Sequence, residues 1–374
     1  MQFIEEINQT FDLTIREALN SAPSNYELAT YFLSSSNSIT RYVIGRNDQS
    51  IEVAKAVKID GVIDDNETFQ KKWNDIPILP ISKVPTNAFV VNCSTSINPI
   101  AVKEHLLRAG IKNIININEL IHASNGLISW PWFVKQQRED FNSHTLEWSN
   151  LYESLADQES QQTLLDVVRY RLTADIKFMQ EYSVRINDQY FENFMHLKHE
   201  IFVDAGGFDG DTTEEFCTRY PNFRKVYLFE PSSKNIKAAQ ERLAGFRDIE
   251  FIKIGLSDKE EMLYFNSDAG SASSISKEGS ESIKVTTLDC HVKVPVSFIK
   301  MDLEGWELKA LAGCAQHIKN DHPKLALAVY HKASDFREIP RYLKSLNPRY
   351  KLHLRHYTQG WSETIMYFTI PQHS

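Results

Sequence analysis

The chain has little cysteine, no long apolar run and no excess of positive charge, and each shortage narrows what it can be. Four cysteines, Cys93, Cys217, Cys290 and Cys314, are scattered through 374 residues without a CxxC pair. Neither a disulfide framework nor a cysteine zinc site organises such a chain, and reduced thiols fit the cytoplasm. No stretch approaches the roughly 20 apolar residues that span a bilayer. The start, Met1-Gln2-Phe3-Ile4-Glu5-Glu6, is acidic and lacks the apolar core of a secretory leader. A cytoplasmic location with no membrane span is the expectation. Lysine and arginine number 41 against 49 acids, a net charge of −8. A general nucleic-acid binder needs a basic surface instead, so the expected partner is a small molecule, with homo-oligomerisation left open.

What is present is an alternation of strands and helices, long enough for two domains. Residues 1–35 read as helix. Short strands then follow at Arg41-Tyr42-Val43-Ile44-Gly45, Asp60-Gly61-Val62-Ile63-Asp64-Asp65, Ala88-Phe89-Val90-Val91-Asn92-Cys93 and Asn113-Ile114-Ile115-Asn116-Ile117. A helix from Pro99 stops at Gly110. Residues 1–125 are therefore expected to form a smaller N-terminal Rossmann-like α/β domain. Gly45 follows its strand without a GxGxxG run, which speaks against a dinucleotide there. Residues 126–199 read as a helical linker region. It holds the cluster Trp130-Pro131-Trp132-Phe133 and an apolar stripe through Leu164, Val167, Val168, Tyr170, Leu172 and Ile176.

From residue 200 to 374 the alternation restarts, with strands expected near 201–204, 226–230, 250–254, 296–301, 324–330, 350–356 and 363–369. The last two are separated only by a short turn, so one of them runs antiparallel. The expected fold is α/β: a Rossmann-like seven-stranded methyltransferase sheet with an antiparallel terminal hairpin.

The most informative run is Phe202-Val203-Asp204-Ala205-Gly206-Gly207-Phe208-Asp209-Gly210-Asp211-Thr212. An apolar strand ends in an acid, a glycine turn follows, and a helix begins. Gly206 and Gly210 permit a tight turn and close approach of a cofactor. Thr212 and Glu215 have capping-box spacing. A helix N-terminus invites an anion, yet Asp209 and Asp211 would repel a pyrophosphate and suit a cationic sulfonium, so the turn reads as one for S-adenosylmethionine (SAM). Ligands in open α/β sheets bind at the carboxyl ends of strands, and acids recur at such ends: Asp204, Glu230, Asp258 and Asp302. Glu230, followed by Pro231, is placed to accept the ribose hydroxyls. Gly255, Leu256, Ser257 and Asp258 are expected along the adenine. Asp204 is expected to steer the turn and the methionine end, with Gly207 and Phe208 completing the turn.

These residues resemble the FkbM family of SAM-dependent methyltransferases. The likeness rests on the glycine turn and on Phe229-Glu230-Pro231, Thr287-Leu288-Asp289, Ile299-Lys300-Met301-Asp302-Leu303-Glu304-Gly305 and Val329-Tyr330-His331. It is completed by Leu354-Arg355-His356-Tyr357 and Glu363-Thr364-Ile365-Met366-Tyr367. Upstream, Leu155-Ala156-Asp157-Gln158-Glu159-Ser160 and Tyr190-Phe191 resemble the lead-in of longer members. The resemblance covers about residues 150–370 and implies O-methylation of a sugar or related hydroxyl. Such a hydroxyl needs its proton taken, and Asp302, Glu304 and His331 are the catalytic candidates. His331 can act as a base oriented by an acid, the three can hold Mg²⁺, or Glu304 can simply cap a helix near Gly305. Lys300 is expected to pair with an acid. The small polar run Ser267–Ser276 is a candidate lid, and His356 and Tyr357 are candidates for the acceptor pocket. Two further readings stay open: a non-catalytic SAM-binding or assembly module of a glycan-modifying system, and an NAD-linked oxidoreductase.

Overall fold

The computed structural model describes residues 2–35, 39–67, 70–265, 275–276 and 281–371. The chain divides into two compact units. One comprises 1–153, 162–184 and 357–362; the other comprises 154–161, 185–356 and 363–374. The region 126–199, expected as a linker, is thus shared between the two units. Among the described residues no helix is long and apolar enough to cross a membrane.

The first unit is built on strands β1 (Arg41–Ile44), β2 (Gly61–Ile63), β3 (Lys72–Trp73), β4 (Ile76–Leu79), β5 (Phe89–Asn92) and β6 (Asn113–Asn116), in the order β3-β4-β2-β1-β5-β6. All neighbours pair in parallel except the β3–β4 hairpin, which turns through Asn74 and Asp75 at positive φ. The apolar stripe lies on helix Gln158–Thr173, with Leu164, Val167, Val168, Tyr170 and Leu172 buried. The aromatic cluster packs within this unit: Phe133 stacks on Tyr170 and Trp361, and Trp132 meets Trp361 edge-on at 4.9 Å.

The second unit holds the seven expected strands: β7 (Ile201–Ala205), β8 (Lys225–Phe229), β9 (Ile249–Ile252), β14 (Phe298–Met301), β15 (Lys324–Ala328), β16 (Lys351–His356) and β17 (Thr364–Thr369). Their order is β16-β17-β15-β14-β7-β8-β9, and only β17 runs antiparallel to its neighbours. The seven-stranded sheet with a closing hairpin is thus present as expected. Central strands covered on both faces must be apolar throughout. Phe202, Val203, Phe298, Ile299 and the run Leu325–Ala328 are accordingly all buried, and Phe202 stacks on Phe298 at 4.7 Å. The lead-in segment adds to the edge: Ala156 donates to the Leu352 carbonyl, and Asp157 accepts from His353 and Arg355. A second sheet, absent from the sequence expectation, is formed by β10 (Gly255–Leu256), β11 (Glu261–Phe265), β12 (Ile275–Ser276) and β13 (Glu281–Thr286), in the order β10-β13-β11-β12.

Candidate functional site

The strand order reverses direction beside β7, between β14 and β8, the place where an open α/β sheet opens a crevice. Gly206 follows β7 at φ 77° and Phe208 at φ 42°. A side chain at Gly206 would overlap the carbonyl oxygen of Asp302, and one at Gly207 would run into Leu228. The two glycines therefore let three strand ends close on one point. Beneath the turn, Asp204 and Lys300 are 0% and 3% exposed and pair at 3.0 Å. Asp204 also accepts from Thr213 Oγ1, and Lys300 donates to the Gly206 carbonyl. Lys300 pairs with an acid as expected. Asp204 braces the turn from inside the protein and, being fully buried, does not reach a methionine end.

The capping box expected at Thr212 and Glu215 does not form. Gly210, at φ 85°, is the N-cap of helix Asp211–Arg219 and has no side chain to offer. Thr212 therefore lies inside the first turn, and Glu215 pairs with Arg219 instead. The acids flanking this turn are also less free than their sequence suggests. Asp209 is neutralised by Arg242 at 2.7 Å, and Asp211 folds back onto the Thr212 amide.

Glu230, at the end of β8, is 6% exposed. Its carboxylate accepts from the amides of Phe208 (3.1 Å) and Ser232 (2.8 Å) and from Asn235 Nδ2 (3.4 Å). Burial raises its pKa, against these hydrogen bonds and the charge of Lys300. A carboxylate has about four acceptor positions. Three are in use, which leaves one acceptor position open and a second if the long Asn235 contact yields. Pro231 beside it is half-buried. In the stretch expected along the adenine, Gly255, Leu256 and Ser257 are buried, because β10 pairs with β13. Asp258 remains exposed, and Trp306 Nε1 donates to Ser257 Oγ.

Asp302, Glu304 and His331 come together. One ligand-type atom from each lies within 4.8 Å of the others. His331 Nε2 is 3.4 Å from Asp302 Oδ1 and 3.3 Å from Glu304 Oε2. Its Nδ1 is 3.1 Å from Glu307 Oε1. Glu304 sits at φ 53° and Gly305 at φ 86°, a reversal that turns the Glu304 carboxylate toward the imidazole. Glu304 is not a helix cap, because the helix begins at Glu307. Glu307 takes the capping part instead, accepting from the amides of Leu303 and Gly305. Burial resists charging His331, but Glu307, Glu304 and Asp302 override it and hold its pKa well above the ordinary value.

Three neighbours of this cluster were not assigned a role from sequence. Tyr190 donates its hydroxyl to Asp302 Oδ2 at 2.8 Å. Glu363 accepts from Gln189 Nε2 at 2.8 Å, and burial with the charge of Asp302 pushes its pKa up to about 7. Glu307 was legible only as a third acid in Asp302-Leu303-Glu304-Gly305-Trp306-Glu307. By contrast, His356 is 2% exposed and bonded to Thr364, and Tyr357 is fully buried, so neither offers an acceptor surface. Residues 267–274 of the candidate lid lie outside the described residues.

Residues 204–350 match the family model of the methyltransferase FkbM domain. These residues are similar to that domain and span the glycine turn, Glu230 and the Asp302–Glu304–His331 cluster, whereas Tyr190 and Glu363 lie outside the match. A solved methyltransferase FkbM from Methylobacillus flagellatus KT is 21% identical and has a TM-score of 0.72, over 98% of this chain and 100% of that one. At that identity the likeness is one of fold. An rRNA methylase from Streptococcus thermophilus is 19% identical, over 47% of this chain and 90% of that one, with a TM-score of 0.32. A fibrillarin from Aeropyrum pernix with natively bound S-adenosyl-L-methionine is 12% identical, over 46% and 67%, with a TM-score of 0.30. No curated protein matches the sequence.

Among the described residues, the switch point of the first unit, between β1 and β5, is filled. Asn47 Nδ2 donates to the Cys93 carbonyl and Ser50 Oγ to the Gly45 carbonyl, stitching the two strand ends together. Residues 357–362 of the same unit fill the space beyond them. Gln359 and Trp361 donate to the carbonyls of Ile97 and Thr95. Gln359 Oε1 accepts from Ala101 N at the start of helix Pro99–Arg108, where a phosphate would otherwise sit. This unit also has a cavity of ≈ 650 Å³, lined by Trp130, Lys135 and Arg138 among others.

Proposed function

We propose that the second unit is a SAM-dependent O-methyltransferase whose acceptor is a hydroxyl of a saccharide or sugar-bearing metabolite. One juxtaposition carries this reading. The Asp302 end of β14 is shared by the glycine turn on one side and by a cluster of carboxyl, imidazole and phenol groups on the other. In this reading SAM lies over Gly206, Gly207 and Phe208, with its ribose on Glu230 and its adenine toward Asp258. The sulfonium methyl then points toward Asp302. Methyl transfer is an in-line displacement: the acceptor oxygen forms a bond to the methyl carbon as the sulfur–carbon bond breaks, so alignment dominates the rate. The acceptor proton passes to a group of this cluster. A polyol is favoured as acceptor because Asp302, Glu304, Glu363, Gln189, Tyr190 and Tyr330 offer many hydrogen-bond partners in a small space. Free cysteines fit a reducing, cytoplasmic setting.

The test is calorimetric titration with SAM and, separately, with NAD⁺, using the native sequence and Glu230→Ala. SAM binding that the substitution weakens at least tenfold, with the fold retained, is the expected result. Unchanged SAM affinity would remove Glu230 from the ribose site. NAD⁺ binding in place of SAM would overturn the methyltransferase reading.

A further inference from the structure

We infer that Asp302, Glu304 and His331 form a divalent-cation site for an ion of the Mg²⁺ or Mn²⁺ class, placed at the acceptor end of the proposed methyl-transfer site. The inference rests on the reading of this cluster as the acceptor end, and three observations carry it.

The first is the imidazole. The His331 side chain is 8% exposed, yet neither ring nitrogen makes a hydrogen bond of good geometry. Nδ1 lies against the Glu307 carboxylate, and Nε2 faces the gap between Asp302 Oδ1 and Glu304 Oε2. A buried ring nitrogen without a partner is costly. A metal ion in that gap would satisfy it.

The second is the support behind the three donors. Metal-bound histidines commonly have the other ring nitrogen on a carboxylate, which fixes tautomer and orientation. Glu307 stands in that position, is fully buried, and is itself held by the amides of Leu303 and Gly305. Tyr190 plays the same part for Asp302 by holding Oδ2 at 2.8 Å, while Oδ1, 3.4 Å from the Tyr330 hydroxyl, also faces the gap.

The third is charge. Asp302, Glu304, Glu307 and Glu363 surround one imidazole. The nearby lysines are committed elsewhere, Lys300 to Asp204 and Lys332 to the Gly305 carbonyl. Two carboxylate oxygens and one imidazole nitrogen, with room for water and an acceptor hydroxyl, suit a small, hard divalent ion. Bound there, the ion would polarise the acceptor oxygen and stabilise its negative charge as the proton leaves.

Mn²⁺ alone, titrated into the full chain and followed by electron paramagnetic resonance, tests the site without any turnover. The expected result is one saturable Mn²⁺ per chain that Mg²⁺ displaces. Binding should be lost in His331→Ala and in Glu304→Gln, the second being a half-exposed, near-isosteric change that spares the fold. Glu307→Gln, at a positioning residue, should weaken binding about 10–100-fold. SAM titration without metal keeps the two proposals apart. A chain that binds SAM but no Mn²⁺, or that binds Mn²⁺ equally well as His331→Ala and Glu304→Gln, overturns the cation site and leaves the methyltransferase reading standing.

Discussion

Lys300→Met is the most demanding test of how the SAM turn is held. Lys300 and Asp204 are buried to 3% and 0% exposure and lie 3.0 Å apart. Removing one partner of such a pair leaves an uncompensated buried charge and costs about 3–5 kcal/mol. At about 2–4 °C per kcal/mol for a unit of this size, the transition should fall by roughly 6–20 °C. The loss should not stay in the core, because Lys300 also holds the Gly206 carbonyl and Asp204 holds Thr213 in the first turn of the following helix. SAM affinity should therefore fall together with stability. The double variant Asp204→Asn/Lys300→Met removes both charges and should recover more than half of the lost stability, as neutral replacements of buried pairs commonly do. There is also a pH signature. Burial disfavours the Lys300 ammonium, but Asp204 and Asp302 override this and raise its pKa. A raised lysine pKa contributes stability that is complete below the unfolded value of about 10.4 and is lost as pH climbs through the folded value. Native protein should show that alkaline loss, and Lys300→Met should not. Urea unfolding of the native chain, the two single variants and the double variant decides the matter. A single-variant loss below about 1 kcal/mol, or losses that simply add, would refute a coupled buried pair.

Two further outcomes follow from the same turn and cluster. Gly206→Ala combines a left-handed φ of 77° with overlap on the Asp302 carbonyl. It should cost about 2–4 kcal/mol in urea unfolding and abolish SAM binding; a silent substitution would mean that β7 and β14 do not close as described. Glu363, with its pKa pushed up to about 7, contributes stability that is complete below its unfolded value near 4.3 and is lost as pH rises through about 7. Native protein should then melt at a lower temperature at pH 8 than at pH 5. Glu363→Gln should flatten that difference, and an unaltered pH profile would rule out the perturbed carboxyl.

The sheet was legible because its central strands are buried on both faces and therefore read as largely apolar runs, as in Leu325–Ala328. The site acids were legible because a polar residue ending such a run has to lie at its carboxyl edge. The sheet β10–β13 escaped notice for the opposite reason. Glu261–Phe265 carries Met262 and Tyr264 exposed, and two other strands of the same sheet, β10 and β12, are only two residues long, so no periodicity accumulates. The misread cap at Thr212 came from trusting side-chain spacing where a glycine backbone sets the helix start. Glu307, Tyr190 and Glu363 were missed because their roles depend on strand ends and loops distant in sequence. Nothing local distinguishes an acid that orients a histidine from one that faces water.

The backbone itself marks the same place. Among the described residues, Tyr190, Phe208, Glu304 and Glu363 are non-glycine residues at φ between 42° and 75°. Side chains rarely adopt that region without a compensating gain, and the strain is about 1–3 kcal/mol at each. Positive φ also occurs at Ala174, His196 and His322, and at Asn74 and Asp75, which sit in a hairpin turn where asparagine and aspartate tolerate it. Phe208 brings its amide onto Glu230; Tyr190 brings its phenol onto Asp302; Glu304 swings its carboxylate beside His331; Glu363 is held by Gln189 near Asp302. Strain at four positions thus serves two adjoining arrangements, the Phe208 amide held on Glu230 and a cage of oxygens around one imidazole. A module that only bound SAM would need the first and would gain nothing by keeping the second. The retained cost of Tyr190, Glu304 and Glu363 is therefore the physical reason to favour an enzyme over a binding module.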